Sequence, residues 1–387
     1  MRAADGRLLR CQEEGKMEIS LCMIVRNEAQ HLARCLDSVR DAVDEIIILD
    51  TGSTDETMEI ARRYTEQVFT YPWQDDFAAA RNMAFSYASK PYLMWMDADD
   101  VMEKSEREKL IELRPALNGS IDAVMMPYVC DVRADGTPAM VFDRERIVRR
   151  AAGFRFEGAV HEAMSVSGRI IREDIAIRHM GRHSERSNRR NLAIYERLIA
   201  RGAAMAARDW HYYARELMTA GREQEAEAVF ERVIHEDCWT VIRMDAMIKR
   251  AQCLLKLDRI GEARAQLLCA LASDAPSAEL LCAMGACEMQ AGRDAAAAFW
   301  YRAARLAEKP KDSGAFVYAD CYDYIPSMQL CVLLDRMGRT QEAAMENERA
   351  LIAHPNDAAA MRNRAYFAGK KGGESSGESL EPDPTEA

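Results

Sequence analysis

Apolar and polar positions alternate along residues 17–100 in blocks that predict strands and helices in turn. Ile19–Val25 is a continuous apolar run, typical of a strand buried on both faces of a parallel sheet. Glu28–Arg40 carries apolar residues at helical spacing. The other elements predicted in this region are strands at Glu45–Leu49, Val68–Tyr71 and Tyr92–Met96 and helices over 55–64 and 77–89. This order predicts an α/β domain with a mainly parallel, right-handed sheet and helices on both faces.

Residues 121–180 change to short strands and turns. A strand is predicted at Ala123–Cys130, and Ala134-Asp135-Gly136-Thr137 has the composition of a hairpin turn. The stretch 139–178 is expected to extend the sheet in a mixed arrangement.

From Glu185 to about Phe367 the pattern is almost entirely helical and contains an internal repeat. A glycine followed five residues later by an alanine occurs at Gly221, Gly292 and Gly338, and Ala263 takes the same place in a degenerate copy. The alanines, at 226, 263, 297 and 343, lie 37, 34 and 46 residues apart, and an insertion around 310–325 would account for the last spacing. The pattern resembles the tetratricopeptide repeat, whose period is about 34. An irregular helical bundle is the alternative.

These patterns divide the chain into five parts. They are a disordered leader at 1–16, with Met17 as a second candidate start, an α/β domain at 17–185, a helical linker at 186–205, repeats at 206–367 and a disordered acidic tail at 368–387.

Composition narrows the class of protein. No apolar run among the 387 residues could span a bilayer, and the N-terminus lacks the apolar core of a signal peptide, so a cytoplasmic protein is expected. The eleven cysteines form no CxxC pair and are expected to be mostly small buried hydrophobes. The net charge is −11, yet residues 144–201 contain fourteen arginines. The negative net charge argues against nucleic-acid binding, whereas the arginine-rich stretch is compatible with local binding of a phosphate or an acidic partner.

Polar residues follow the first two predicted strands. Val25-Arg26-Asn27-Glu28 ends the first, and Asp50-Thr51-Gly52-Ser53 ends the second, with Ser53 or Thr54 as a predicted helix cap. Ligands of open α/β sheets bind at such strand ends. The chain has neither GxGxxG nor a P-loop, which argues against a dinucleotide fold and a P-loop enzyme.

Three carboxylates crowd the end of the fourth strand, at Asp97, Asp99 and Asp100. Crowded, unpaired carboxylates are costly, and a bound divalent cation would relieve their repulsion. Mn²⁺ or Mg²⁺ typically takes one or two carboxylates together with substrate phosphate oxygens. Asp97 and Asp99 are the predicted metal ligands, and Asp100 is interpreted as a helix cap or a support.

Taken together, these segments resemble glycosyltransferase family 2, which has the GT-A fold. The resemblance covers roughly 17–185 and rests on four segments, ISLCMIVRNEAQHLARCLDSV, EIIILDTGSTDET, WQDDFAAARNMAFSYASKPYLMWMDADD and, more weakly, FEGAVHEAM. It implies a hexosyltransferase that uses a nucleotide-diphospho-sugar donor, first of all a UDP-sugar, with Mn²⁺ or Mg²⁺ and usually with inversion at the anomeric carbon.

The resemblance assigns roles to individual residues. Those implied at the nucleotide-sugar site are Val25, Arg26, Asn27, Glu28, Asp50, Ser53, Arg81, Asn82 and Asp97. Of these, Asp50 would contact the base or ribose, and Arg81 and Asn82 would lie near the diphosphate and sugar. The sequence departs from the family pattern at Thr51, where many members have a second acid that contacts the base.

Inverting transfer needs a general base. Glu162 of the Gly158-Ala159-Val160-His161-Glu162 segment is the first candidate, and His161 is a candidate metal ligand or base; an ordinary turn with a His–Glu pair is the alternative. His179-Met180-Gly181 is a weaker candidate to close the same site.

Three functions remain open on the sequence. The repeats favour a peptide or protein acceptor, and they could instead mediate homodimerisation or docking. A polysaccharide or lipid-linked glycan is the alternative acceptor, and a non-catalytic scaffold with a degenerate transferase domain is the third. A nucleotidyltransferase is disfavoured, because Arg26-Asn27-Glu28 is not a glycine-rich basic loop.

Overall fold

A computed structural model describes residues 17–132, 138–181, 185–309 and 317–371. The chain divides into two compact units, with the boundary between His183 and Ser184. The leader at 1–16, the turn at 134–137 and most of the tail, 372–387, lie outside the described residues, so these predictions remain predictions. Residues 368–371, assigned to the tail, instead belong to the last helix.

The first unit is built on a mixed sheet. Its elements in chain order are β1 (Ile19–Val25), α1 (Leu32–Val39), β2 (Glu45–Asp50), α2 (Thr57–Ala61), β3 (Val68–Thr70), α3 (Phe77–Tyr87), β4 (Tyr92–Trp95), β5 (Asp100–Met102), α4 (Lys104–Leu113), β6 (Ala123–Val132), β7 (Pro138–Arg149), β8 (Phe156–Glu157), β9 (Ala163–Met164), β10 (Ile170–Arg172) and β11 (Ile177–His179). Strands of the main sheet follow the order β3-β2-β1-β4-β7-β6-β11-β5, and β10 also pairs with β6.

The first four strands are mutually parallel, as the apolar runs predicted. β7 then pairs antiparallel with both β4 and β6, and β5 pairs antiparallel with β11, which makes the mixed extension. The short β8 and β9 form a separate antiparallel pair. The predicted α/β architecture is therefore confirmed, with the parallel half carrying the first two polar strand ends.

Both faces of the sheet are covered by helices. Alternate residues of β1, Ile19, Leu21 and Met23, pack in one apolar cluster with α1, whereas Cys22 packs in a second cluster with α3. A strand buried on both faces cannot alternate apolar and polar residues, which explains its continuous apolar run.

Two helices begin later than their spacing predicted. α1 begins at Leu32 rather than Glu28, because Asn27 has a positive φ of 56° and residues 28–31 form turns. α2 is restricted to 57–61, and Ser53 does not cap it: the Ser53 hydroxyl accepts from the Asn27 N–H, whereas Asp55 accepts from the Thr57 N–H. The predicted cap was wrong because these side chains connect the loops after β1 and β2 instead.

All the regular secondary structure that the structure describes in the second unit is helical. Its helices are α5 (Glu185–Ala200), α6 (Ala207–Thr219), α7 (Glu223–His235), α8 (Thr240–Lys256), α9 (Ile260–Ser273), α10 (Ala278–Gln290), α11 (Asp294–Leu306), α12 (Tyr324–Arg336), α13 (Thr340–Ala353) and α14 (Ala358–Lys371). From α6 to α13 they form four consecutive pairs, the tetratricopeptide-like arrangement that the repeats predicted.

The repeat is visible at single residues. The connection inside each pair has one left-handed residue, Gly221, Gly292 or Gly338 in three pairs and Asp258 in the degenerate one. Five residues later, each pair has an alanine with no exposed surface, at positions 226, 263, 297 and 343. A small side chain at that point lets the two helices of a pair approach closely.

Seven of the ten cysteines that the structure describes are buried and none is paired, in agreement with the prediction. No helix within the described ranges is long and apolar enough to cross a membrane.

Candidate functional site

The polar loops after β1 and β2 are tied to each other by hydrogen bonds. The Asn27 N–H donates to Ser53 Oγ (2.9 Å), and the Thr54 N–H donates to Asn27 Oδ1 (2.7 Å). The Glu28 N–H donates to Thr57 Oγ1 (2.7 Å). Positive φ at Asn27 turns the chain so that both its amide and its side chain face the second loop. The structure thus brings the predicted nucleoside-site residues of the two loops together.

Three other residues assigned to this pocket have different surroundings. Val25 is buried in the core and Arg26 is exposed. Asp50 is only 2% exposed, and its carboxylate accepts from the N–H groups of Gly52 and Ser53 (both 3.0 Å), so it shapes the turn after β2. Thr51, at the departure from the family pattern, donates its hydroxyl to the Val25 carbonyl (3.1 Å).

Arg81 joins two predicted site carboxylates. Its Nη2 lies 2.6 Å from Asp97 Oδ1, and its Nε lies 2.6 Å from Glu162 Oε1. Burial alone would raise the pKa of Asp97, but the positive charges of Arg81, Arg146 and His179 and the hydrogen bond from Arg81 together outweigh it and lower that pKa to about 2. The structure therefore places a helix residue, a strand-end residue and the candidate base in one ion-paired group.

The other two residues predicted near these groups have distinct roles. Asn82 makes two hydrogen bonds with the main chain of Phe156, each 2.9 Å long, and so fixes β8 against α3. His161 is exposed and has a φ of 53°, in a turn that places Glu162 beside Arg81. Such a backbone angle in a non-glycine residue is sparsely populated and is common at functional sites.

Three arginines surround the ring of Trp95, at the end of β4. The distances from the guanidinium carbons to the ring centroid are 4.6 Å for Arg81, 4.7 Å for Arg144 and 4.0 Å for Arg146. Two of them belong to the arginine-rich stretch seen in the sequence. The indole packs the cations together by cation–π contacts, which concentrates positive charge next to Asp97.

A second cluster lies beside the first. Asp99, Asp100 and His179 each offer a ligand atom, and these atoms all lie within 4.8 Å of one another. His179 is brought there because β11 pairs with β5 in a register that sets His179 opposite Asp100. Hydrogen bonds to Asp100 and Asp99 raise the pKa of His179 to about 10.

Asp100 is held by partners on several elements. It is fully buried; its Oδ1 accepts from the Tyr128 hydroxyl (2.8 Å), and its Oδ2 accepts from the Asp97 N–H (3.0 Å) and lies 3.3 Å from Arg146 Nη1. The Arg146 guanidinium is itself stacked between the rings of Trp95 and Tyr128. A buried carboxylate fixed in this way is pre-organised for binding a cation.

The donor set fits a divalent cation. Two carboxylates and an imidazole suit Mn²⁺. Glycine at position 181 keeps side-chain atoms away from these ligands, because a Cβ there would lie 2.1 Å from Asp99 Oδ2 and 2.9 Å from His179 Nε2. Of the two predicted metal ligands, Asp99 belongs to this cluster, whereas the Asp97 carboxylate binds Arg81. Assignment of the metal to these residues remains a prediction.

Two members of the cluster carried only weak signals in the sequence. The sequence predicts Asp100 only as a helix cap or support of the metal site, and His179 only as part of a segment that could close the site. The sequence feature that points to His179 is the His179-Met180-Gly181 segment. A glycine close to a histidine lets the main chain approach the ligand side chains without a Cβ in the way. Arg146 was one of fourteen arginines and could not be singled out.

Comparison with known proteins identifies the family of this unit. Residues 20–179 match the family model described as Glycosyl transferase family 2. A TPR repeat-containing protein of Synechococcus elongatus is 37% identical over 152 residues, which are 39% of this chain and 36% of that protein. The SPbeta prophage-derived glycosyltransferase SunS of Bacillus subtilis is 34% identical over 147 residues, 37% of this chain and 34% of that protein.

A third relative, the lipopolysaccharide core biosynthesis glycosyltransferase LpsC of Rhizobium meliloti, is 30% identical over 165 residues, 40% of this chain and 60% of that protein. The chain thus spans about a third of the length of the first two relatives. The matched residues contain both clusters and the sheet that carries them. The N-terminal unit is therefore a glycosyltransferase family 2 domain, here followed in the same chain by tetratricopeptide-like repeats.

Proposed function

We propose that the N-terminal domain transfers a sugar from a nucleotide-diphospho-sugar to a polypeptide acceptor, with a divalent cation and with inversion at the anomeric carbon. One observation carries the proposal: the Arg81 guanidinium bridges Asp97 and Glu162 directly beside the Asp99–Asp100–His179 cluster. Charge stabilisation for a leaving group and a carboxylate base are thus supplied side by side.

Arg81 is suited to binding the diphosphate. Its Nη1 is buried and makes no hydrogen bond within the described part of the chain. A phosphate oxygen would satisfy this donor, and the positive charge would stabilise the negative charge that develops on the leaving diphosphate. Arg144, on the same indole ring, adds positive charge to this position.

Asp99, Asp100 and His179 would hold the cation. When bound, Mn²⁺ or Mg²⁺ supplies Lewis-acid stabilisation of the diphosphate. Tyr128 and Arg146 keep the Asp100 carboxylate in place, and β11 keeps the imidazole opposite it. The chain's own contribution is a ligand set fixed before the donor binds.

Glu162 would take the proton of the acceptor. Its carboxylate is mostly enclosed, and its contact with Arg81 Nε orients it. The acceptor oxygen or sulfur would attack the anomeric carbon from the face opposite the diphosphate as Glu162 removes its proton. Arg81 thereby connects the base with the leaving-group side of the site.

The polypeptide acceptor is supported by the helical pairs that follow the domain, because such repeats present extended surfaces that suit extended segments. A glycan acceptor is the second candidate, and the similarity to LpsC favours it. The two candidates differ only in the acceptor.

Release of nucleoside diphosphate from a panel of sugar nucleotides, measured with Mn²⁺ on the full chain, tests the proposal. Asp99→Asn removes a metal ligand and Glu162→Gln removes the base while retaining an acceptor for Arg81. We expect each to lower kcat by roughly 10²–10³-fold. Asp37→Asn, at a solvent-exposed position on α1, is the matched control and should not change the rate.

Failure to release nucleoside diphosphate from any donor would leave the non-catalytic scaffold as the better description. Equal rates for Asp99→Asn and Asp37→Asn would remove Asp99 from the metal site. Transfer to glycans but not to polypeptides would select the second acceptor class.

A further inference from the structure

The segment between β3 and α3 connects two parts of the candidate site, and the proposed chemistry does not use it. At its start, the Tyr71 N–H donates to the Asp50 carbonyl (2.8 Å), at the turn that follows β2. At its end, the Phe77 N–H donates to the Ala159 carbonyl (2.8 Å), in the loop that carries the candidate base. The 71–77 segment therefore runs from the predicted nucleoside loops to the loop of the base.

Trp73 lies near the middle of the 71–77 segment and is only partly buried. Its Nε1–H donates to Asp75 Oδ1 (2.9 Å). Its ring packs against the Phe77 ring, with centroids 4.7 Å apart and an angle of 65° between the planes. The indole lies at the margin of the apolar cluster that α3 forms with the sheet. Both its polar and its apolar parts are thus held in place, while the residue keeps exposed surface.

A strained residue holds the indole. Asp75, which accepts from the indole N–H, has a φ of 57° in the left-handed region. Within the described residues of the first unit, the other non-glycine residues with positive φ are Asn27 and His161, and both lie in loops of the candidate site. Sparsely populated backbone angles cluster at active sites and ligand clamps. The angle at Asp75 therefore marks the 71–77 segment as a third loop of this site.

The polar side chains of the two nucleoside loops are engaged by the loops themselves. Asp50 and Thr51 are both buried; the Asp50 carboxylate accepts from main-chain N–H groups, and the Thr51 hydroxyl donates to a main-chain carbonyl. Ser53 Oγ and Asn27 Oδ1 each accept from a main-chain N–H of the opposite loop. A base that took hydrogen bonds from these side chains would compete with the contacts that keep the two loops together.

We propose that Trp73 stacks on the nucleobase of the donor, and that the site therefore accepts donors with different bases. The indole lies two residues beyond the contact between Tyr71 and Asp50, beside the nucleoside loops. Every base has a π-face, so stacking stabilises the bound nucleotide with little preference for its identity. A site that reads a base through buried hydrogen bonds would reject the wrong base strongly. The inference rests on the proposed function and adds to it the range of donors.

The test measures the binding of UDP, GDP and inorganic pyrophosphate to the full chain with Mn²⁺, by isothermal titration. We expect the dissociation constants of UDP and GDP to differ by less than about tenfold. Trp73→Ala should weaken both at least about fivefold, and it should leave pyrophosphate binding unchanged because pyrophosphate has no base to stack. Trp73→Phe keeps an aromatic ring without the indole N–H, and it should retain most of the affinity.

Trp239→Ala provides the matched control, because Trp239 is 57% exposed and directly precedes α8 in the second unit. It should leave all three affinities unchanged, and circular dichroism should show that the variants are folded. UDP should quench the tryptophan fluorescence of the unaltered chain and of the control, and Trp73→Phe should remove most of that quenching. The base preference of the unaltered chain and the quenching in Trp73→Phe decide the proposal however Trp73→Ala folds.

Three results would overturn the inference and leave the proposed function in place. They are a preference of more than about tenfold for one base, equal UDP affinity in Trp73→Ala and the control, and equal weakening of UDP and pyrophosphate by Trp73→Ala. Absence of binding of UDP, GDP and pyrophosphate alike to the unaltered chain would instead contradict the proposed function itself.

Discussion

At the scale of single residues, Gly181 shows how closely the cation cluster is packed. It follows β11 by two residues, and the Met180 N–H donates to the Asp99 carbonyl (2.9 Å). The main chain therefore runs against Asp99, where a Cβ would overlap the carboxylate and the imidazole of His179. The need for glycine here comes from close approach between backbone and side chains.

We predict that Gly181→Ala weakens Mn²⁺ binding at least tenfold. The Asp99 carboxylate has to rotate away from the new methyl group, and that rotation removes it from His179 and Asp100. Isothermal titration with Mn²⁺ measures the loss. Gly261→Ala is the control, because no atom lies within 4 Å of a Cβ at that position of α9.

An unchanged Mn²⁺ affinity in Gly181→Ala would show that the cation does not use Asp99 and His179 together. A loss of affinity in both variants would point to a general effect of the substitution.

Apart from the residues that the family resemblance implied, such as Arg81 and Glu162, the candidate site residues that could be predicted from sequence were those that closely follow a strand. Asp97, Asp99 and Asn27 were found in this way, because strand ends converge at one edge of a parallel sheet. The pairing of His179 with Asp100 depends on the register of β11 against β5, two strands separated by most of the sheet-forming sequence. No local pattern encodes that register, and the same holds for the Arg81–Glu162 contact across 81 residues.

At the scale of elements, strands were predicted better than helix ends. β1 matches its predicted bounds because a strand buried on both faces is apolar throughout. The starts of α1 and α2 were misplaced because Asn27, Ser53 and Asp55 use their side chains between loops. Such polar side chains form hydrogen bonds with backbone groups that would otherwise belong to the helix. The spacing of apolar residues does not show which of the two arrangements forms.

The left-handed residue that connects each helix pair gives a prediction for the repeats. Asp258 adopts a φ of 58° where three other pairs have glycine. A side chain in this region costs energy, less for Asp than for most residues. We predict that Asp258→Gly stabilises the chain by about 0.5 kcal/mol, and that Gly292→Asp destabilises it by about 1 kcal/mol.

Urea denaturation followed by circular dichroism measures both changes. The matched pair exchanges the same two residue types in opposite directions at equivalent turns, and repeating the measurement at about 1 M salt screens the charge change that accompanies each exchange. Stabilisation by both substitutions, or by neither, would contradict the assignment of these turns as equivalent.

At the scale of the whole molecule, the charge is distributed unevenly over an acidic chain. Arginines of the 144–201 stretch in the first unit mostly meet carboxylates, as in the pairs Arg149–Asp122, Arg172–Asp143 and Arg178–Glu103. Arg81, which serves the proposed catalytic site, is also almost completely buried. A site whose charges are buried in this way should respond only weakly to salt.

We predict that raising the potassium chloride concentration from about 0.1 to about 1 M, which shortens the Debye length from about 10 to about 3 Å, changes hydrolysis of the donor less than about twofold, because buried charges such as Arg81 are screened much less than exposed ones. The rate is measured as nucleoside diphosphate release in the absence of acceptor. A fall of about fivefold or more would show that exposed charges, rather than the buried Arg81 group, set the rate at the donor site.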